Sequence, residues 1–253
     1  MCKGKVGALK LLKVILLFCV IILSISSNVS AASKNRYYYE KQGTAIWEVP
    51  VKEKVVAITF DDGPNNLYTP QVLDLLKKYN AKATFFLIGE RVTRYPEVAL
   101  REIEEGHEVA NHTFSHARLQ YLSDEQIRNQ LQKTHEAIIN ATHVEPVLFR
   151  PPFGYYSERS INAVHELGYL TVMWSWHQDT FDWSNPGVYK IVSNVLKDTR
   201  KGDIVLFHDH GGDRTQTIDA LKQILPALQK QGYQFVTVSQ LLELKAGVKL
   251  PKF

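Results

Sequence analysis

Four short groups of residues in this chain could do chemistry together. Asp61 and Asp62 are followed by Gly63-Pro64, His112 and His116 are four apart, Arg150 opens Arg-Pro-Pro-Phe-Gly, and His208 ends the apolar run 204–207. Two neutral imidazoles and one carboxylate make a three-ligand site for a divalent cation, with positions left for water and substrate. Adjacent carboxylates at a strand end are costly to bury unless they bind a metal or act on a proton. Successive side chains in extended backbone point to different sides, so one of the pair can ligate while the other faces water. A four-residue spacing would put His112 and His116 on one side of a helical turn. Pro151 and Pro152 stiffen the loop after Arg150, so that an amide N–H such as that of Phe153 could be aimed at an oxyanion, while the guanidinium pairs with the free carboxylate. Asp182 is a candidate partner for His208, whose protonated form it would favour as a general acid. Metal site, base, oxyanion donor and acid are what a hydrolase needs to attack an unactivated amide with water.

Each group falls where an apolar run ends. Runs at 55–60, 83–88, 147–150, 169–176, 203–208 and 233–238, with a short one closing near Asn111, read as strands. Between them, 69–79, 96–105, 123–139, 157–167, 188–199 and 217–230 carry helical periodicity. Pro96 opens one of these helices, Ser123 with Gln126 forms a capping box for another, and Gly168 and Gly232 stop two more. About seven strands alternating with helices predict an α/β fold with a parallel sheet covered on both faces. Right-handed crossovers would curl such a sheet into a barrel or a doubly wound sheet, and the polar motifs at the strand C-terminal ends favour a (β/α) barrel with its chemistry on one rim.

The N-terminus has a different character. Lys3, Lys5, Lys10 and Lys13 precede an apolar run at 14–23 and then a Ser-rich stretch ending Val29-Ser30-Ala31. Residues 1–31 therefore read as a secretory signal peptide, with an uncleaved N-terminal anchor as the alternative. The run is short against the roughly 20 residues of a spanning helix. Those four lysines account for the whole formal charge of +4, so the remainder is neutral and offers nucleic acid no electrostatic footing. Cys2 and Cys19 are the two cysteines, and both lie in this segment. The exported chain would have neither thiol ligand nor disulfide, and its stability must come from the core. Residues 32–54, polar and aromatic, read as an arm; 55–245 as one domain; 246–253 as a tail.

The motifs Thr59-Phe60-Asp61-Asp62-Gly63-Pro64, His112-Thr113-Phe114-Ser115-His116, Arg150-Pro151-Pro152-Phe153-Gly154, Asp179-Thr180-Phe181-Asp182-Trp183 and Leu206-Phe207-His208 stand in this order. Together they resemble the polysaccharide deacetylases, also called the NodB-homology family or family-four carbohydrate esterases, over about 55–242. The segment 211–217 resembles a chitooligosaccharide deacetylase-like branch. The resemblance implies a distorted barrel and metal-dependent removal of acetyl from N-acetylhexosamines. It implies Asp61 as base and Asp62, His112 and His116 as metal ligands. It further implies that Arg150 positions Asp61 and that His208 is an acid tuned by Asp182. Phe153 would supply the oxyanion donor, Trp183 and Leu206 the acetyl pocket, and Tyr155 a sugar-stacking ring. His177 and His210 flank the motifs and are expected in supporting or solvent-facing roles.

A two-His, one-carboxylate set also describes non-haem iron oxygenases, but those favour jelly-roll folds over alternating helix and strand. Degenerate binding domains usually lose a ligand or the base, and here each position keeps its expected residue. The expectation is a secreted or wall-associated monomer acting on an acetylated glycan such as peptidoglycan, chitooligosaccharide or exopolysaccharide. It would hold one divalent ion, zinc ahead of cobalt, manganese or nickel, and meet a membrane only through an uncleaved anchor. An O-acetyl esterase on xylan is the alternative activity.

Overall fold

The computed structural model describes residues 34–245. Helix α1 (Arg36–Gln42) and strand β1 (Ala45–Ile46) come first, then β2 (Val55–Asp61), α2 (Thr69–Lys78), β3 (Ala83–Leu87), α3 (Gly89–Arg94), α4 (Pro96–Glu104) and β4 (Glu108–Asn111). After them run α5 (Asp124–Thr142), β5 (Leu148–Phe149), α6 (Glu158–Glu166), β6 (Leu170–Val172), α7 (Val188–Asp198), β7 (Ile204–His208), α8 (Thr215–Lys230), β8 (Gln234–Phe235) and α9 (Val238–Glu243).

The strands pair in the order β1-β6-β5-β4-β3-β2-β7, all parallel, with β8 beside β2 off this path. The sheet curls until its ends approach. Isolated bridges join Glu48 to Asp203 and Asp179 to Leu206, and the Ser175 amide donates to Ile204 at 3.0 Å. This is the expected distorted barrel, left open enough that one edge is closed by loops rather than by a ladder. β2 pairs with β3, β7 and β8, and all seven of its residues are buried, as a strand covered on both faces requires. Outside it, Phe60, Phe85 and Phe207 stack on neighbouring strands at 5.1 and 5.8 Å and meet the apolar faces of α2, α7 and α8.

Two stretches differ from the sequence reading. The segment expected as an arm contributes α1 and β1: β1 pairs with β6, and Tyr39, Ala45 and Trp47 are buried with Ile161 and Met173. A two-residue strand is too short to leave a period in the sequence. At the other end, the run 233–238 yields only β8, because Thr237 caps α9 in a reciprocal box with Gln240. Residues 1–31, expected as a signal peptide, and the tail 246–253 lie outside the described residues, among which no helix is long and apolar enough to cross a membrane.

Candidate active site

Parallel pairing brings the chemical groups to one rim. Asp61 is the last residue of β2, and its partner across the ladder is His208, the last of β7. His112 follows β4 and Arg150 follows β5, where the Arg150 amide donates to the Asn111 carbonyl at 3.0 Å. These four side chains therefore leave adjacent strand ends at one level.

Arg150 is fully buried and lies inside the barrel. Its Nη1 donates to Asp61 Oδ1 at 2.7 Å and to Thr59 Oγ1 at 2.8 Å. Nε and Nη2 donate to the carbonyls of Val172 and Met173, and the guanidinium sits 4.0 Å from the Phe86 ring centroid. Every face of the cation is engaged, which a buried guanidinium requires. Burial pushes it below its usual value while the Asp61 carboxylate pulls it back.

Asp62, His112 and His116 each offer one ligand atom, all within 4.8 Å of one another. His112 Nδ1 lies 2.8 Å from the Arg150 carbonyl. A carbonyl only accepts, so Nδ1 carries the proton and Nε2 presents its lone pair to the Asp62 side, 3.6 Å from Oδ1. His116 Nε2 is 3.2 Å from the same oxygen. Asp62 Oδ1 is buried and accepts no hydrogen bond. An orphaned carboxylate oxygen facing two imidazole nitrogens is a donor set that fits a divalent cation. Burial pushes the Asp62 carboxyl up, but the neighbouring His112, His208 and His116 prevail and hold it well below the usual carboxylate range. Burial and His112 lower His116, which favours the neutral, ligating form.

The two histidines do not share a helical turn. Residues 112–118 form a loop in which Thr113 and His116 take positive φ of 67° and 54°, and this brings the rings to 5.1 Å. Side chains hold that loop where a helix would have used its own backbone. Asn111 Oδ1 accepts from the Thr113 amide, and Gln130 Oε1 accepts from the amides of Phe114 and Ser115. Asp62 and Phe153, with φ of 76° and 61°, are strained in the same way. Such conformations cost about 1–3 kcal/mol each and persist where the surroundings over-determine them.

His208 stands opposite. Its Nδ1 is 2.7 Å from Asp182 Oδ1, and Asp182 Oδ2 accepts from the His208 amide and from Thr217 Oγ1. Burial pushes the imidazole down, but the adjacent Asp182 carboxylate outweighs it and raises His208 to about 9. Burial likewise raises Asp182, and His208 reverses the shift to leave it low. The pair is an imidazolium and a carboxylate at neutral pH.

These groups surround a cavity of about 470 Å³. Of the residues singled out from sequence, Asp61, Asp62, His112, His116, Phe153 and His208 line it, together with Tyr155, Trp183 and Leu206. Arg150 and Asp182 stand behind Asp61 and His208. The amide of Phe153 has no hydrogen-bond partner among the described residues, while those of Gly154 and Tyr155 are taken by Pro151 and Pro152. His177 is elsewhere, donating to Asp203 at 2.9 Å just before β7 begins. Those two form a second triad of ligand-type residues with Glu48, which Arg36 already neutralises at 2.6 Å.

Arg118 and Trp174, which sequence reasoning did not single out, also line the cavity, as do Asp179, Gly211 and Arg214, which fell in its motifs without a role in the site. Arg214 is buried and donates to the carbonyls of Asp182, His210 and Gly211, fixing the loop beyond β7. Asp209 was passed over too. It is buried against Gly63, where an added Cβ would lie 2.5 Å from its Oδ2, and it accepts from Thr69 Oγ1. An acid directly after a strand-end histidine and an arginine in a Gly-rich loop were the signals.

Comparison with known proteins agrees with the geometry. Residues 48–172 match the family Polysaccharide deacetylase. A peptidoglycan-N-acetylglucosamine deacetylase of Bacillus cereus is 53% identical over 209 residues, covering 81% of this chain and 96% of that protein. A peptidoglycan-N-acetylmuramic acid deacetylase of Bacillus subtilis is 39% identical, covering 85% of this chain and 46% of that one. A peptidoglycan N-acetylglucosamine deacetylase solved with 4-naphthalen-1-yl-N-oxidanyl-benzamide superposes with a TM-score of 0.79 at 34% identity, covering 83% and 98% of the two chains. With its barrel, its five motifs and a near-full-length relative above half identity in agreement, the chain belongs to the polysaccharide deacetylase family, hydrolases that act on amides.

Proposed function

We propose that this protein is an exported, zinc-dependent, monomeric N-deacetylase acting on N-acetylglucosamine residues of peptidoglycan, releasing acetate. One observation carries the reading. The Asp62–His112–His116 donor set opens into the same cavity as an arginine-held carboxylate on one side and a carboxylate-held imidazolium on the other.

Asp62, His112 and His116 would hold a divalent cation, which would supply Lewis acidity toward the amide carbonyl and the attacking water. Asp61, oriented by Arg150, takes the proton from the attacking water. The Phe153 N–H, without another partner among the described residues, is the oxyanion donor of the chain itself. His208, kept protonated by Asp182, gives its proton to the departing sugar nitrogen, so a free amine and acetate result. Leu206 and Trp183 form the apolar wall for the acetyl methyl, and Tyr155 offers a ring to a sugar face.

The choice of peptidoglycan rests on the 53% identical relative, the choice of an exported protein on the Lys-rich and apolar residues 1–31. An N-oxidanyl amide bound by the solved relative is a bidentate metal ligand, in keeping with a cation at this centre. The test is acetate release by the purified protein from peptidoglycan, N-acetylglucosamine oligomers and O-acetylated xylan, with chelator and zinc re-addition. Zinc-restored release from the two N-acetylated glycans supports the reading; release from xylan alone, or release indifferent to chelator, overturns it.

A further inference from the structure

A second cavity of about 310 Å³ adjoins the first, sharing Asp62, His116 and Gly211 with it. Beyond those residues it opens onto Arg91 and Arg94 of α3 and onto His210. Its lining carries two arginines and two acids, and their partnering is uneven. Arg91 is half-buried and Arg94 exposed, and neither side chain makes an ion pair or hydrogen bond among the described residues. Arg94 only lies over the Tyr95 ring, 5.7 Å from its centroid. The acids bordering this space are the exposed Glu90 and Asp62, which already faces two imidazoles. By contrast, the buried Arg150 and Arg214 have their donors filled by carboxylate, hydroxyl or backbone oxygens. A guanidinium that is partly desolvated without a carboxylate is an arrangement a ligand improves, and its planar fork matches a carboxylate in two-pronged fashion.

We propose that this second cavity is a subsite for a carboxylate carried on a branch of the sugar next to the one being deacetylated, bound by Arg91 and Arg94. The inference rests on the proposed action on peptidoglycan and names what the site reads there. A polymer of N-acetylglucosamine alone is uncharged. A wall glycan that alternates with muramic acid carries an ether-linked lactyl group, which ends in a carboxylate or in a peptide that bears carboxylates. With the acetyl group in the first cavity, the shared wall of Asp62, His116 and Gly211 leaves the second within reach of the adjoining sugar's branch.

The test uses the zinc-loaded full chain and three substrates: the neutral N-acetylglucosamine tetramer, glycan strands stripped of peptide by an amidase, and strands with their peptides. Rates are compared for the wild type, Arg91→Gln/Arg94→Gln and Arg94→Glu, the last altering only a surface side chain. A charge-assisted pair of this kind implies that the double variant loses roughly tenfold more kcat/KM on carboxylate-bearing strands than on the tetramer, mainly through KM. Arg94→Glu should lose at least as much, and added salt should narrow the gap. Loss confined to the amidase-stripped strands identifies the lactyl carboxylate, loss confined to peptide-bearing strands identifies a peptide carboxylate, and loss on both means that the subsite takes either. Equal loss on all three substrates, or no loss on any, overturns the subsite while leaving the deacetylase reading intact. A wild type that releases no acetate from any of them removes both.

Discussion

The pairing of Asp182 with His208 makes a prediction about pH at the scale of one side chain. With His208 raised to about 9, the acid needed for amine departure persists through neutrality, so kcat should hold up to that region and fall above it. Asp182→Asn replaces an acceptor of three hydrogen bonds and removes the charge; the alkaline limb of the kcat–pH profile should move toward the ordinary histidine value near 6.5. An unmoved limb would exclude His208 as the titrating acid. Stability should follow the same sign. The folded pKa lies above the unfolded one, so this contribution is present in full below about 6.5 and is lost as pH rises through about 9. Arg150→Ala leaves the Asp61 carboxylate buried beside an empty space. Loss of one partner from a buried pair costs about 3–5 kcal/mol, read as a fall in urea midpoint.

At the scale of elements, α3 and α5 hold the histidine loop. The amides of Gly89 and Glu90 donate to the Thr113 and Phe114 carbonyls, while Gln130 of α5 accepts from the other side. Gln130→Ala removes the acceptor from two amides and should weaken zinc binding by about 10–100-fold, as supporting partners of metal ligands do, with little change in unfolding temperature. Gly89→Ala is the steric counterpart. Its Cβ would lie 2.5 Å from Phe114 Cδ2 and 3.1 Å from the Thr134 Cα, so the loop must move. Overpacking of this kind costs about 1–3 kcal/mol, and calorimetric zinc titration should show weaker binding as well. The sequence revealed the ligand types and the strand ends but not this support. His-x-x-x-His has the same spacing in a helix and in this loop, and nothing in Thr113 announces a positive φ, which a β-branched residue rarely adopts. Asp61, Arg150 and His208 were legible because each ends an apolar run in a parallel sheet, where position along the chain fixes position on the rim.

For the whole molecule, the alternating pattern was enough to give a parallel sheet covered on both faces, since each strand carries its own apolar run, and the polar motifs at the strand ends pointed to its curling into a barrel. What escaped was assembled from distant segments. β1 is two residues long, and the second cavity joins α3 to the loop after β7, which lie more than a hundred residues apart. The segment 35–49 closes one end of the sheet through Trp47, which is fully buried; Trp47→Ala should cost about 3–5 kcal/mol, measured by chemical unfolding. The account as a whole stands on a division of labour between neighbouring acids, Asp62 on the cation and Asp61 on the proton. Zinc stoichiometry by titration calorimetry tests it most directly, because it reads binding apart from turnover. Wild type and Asp61→Asn should each bind one zinc per chain, and His112→Ala should bind none in the same concentration range. Equal binding by all three proteins, or loss of zinc from Asp61→Asn, would contradict it.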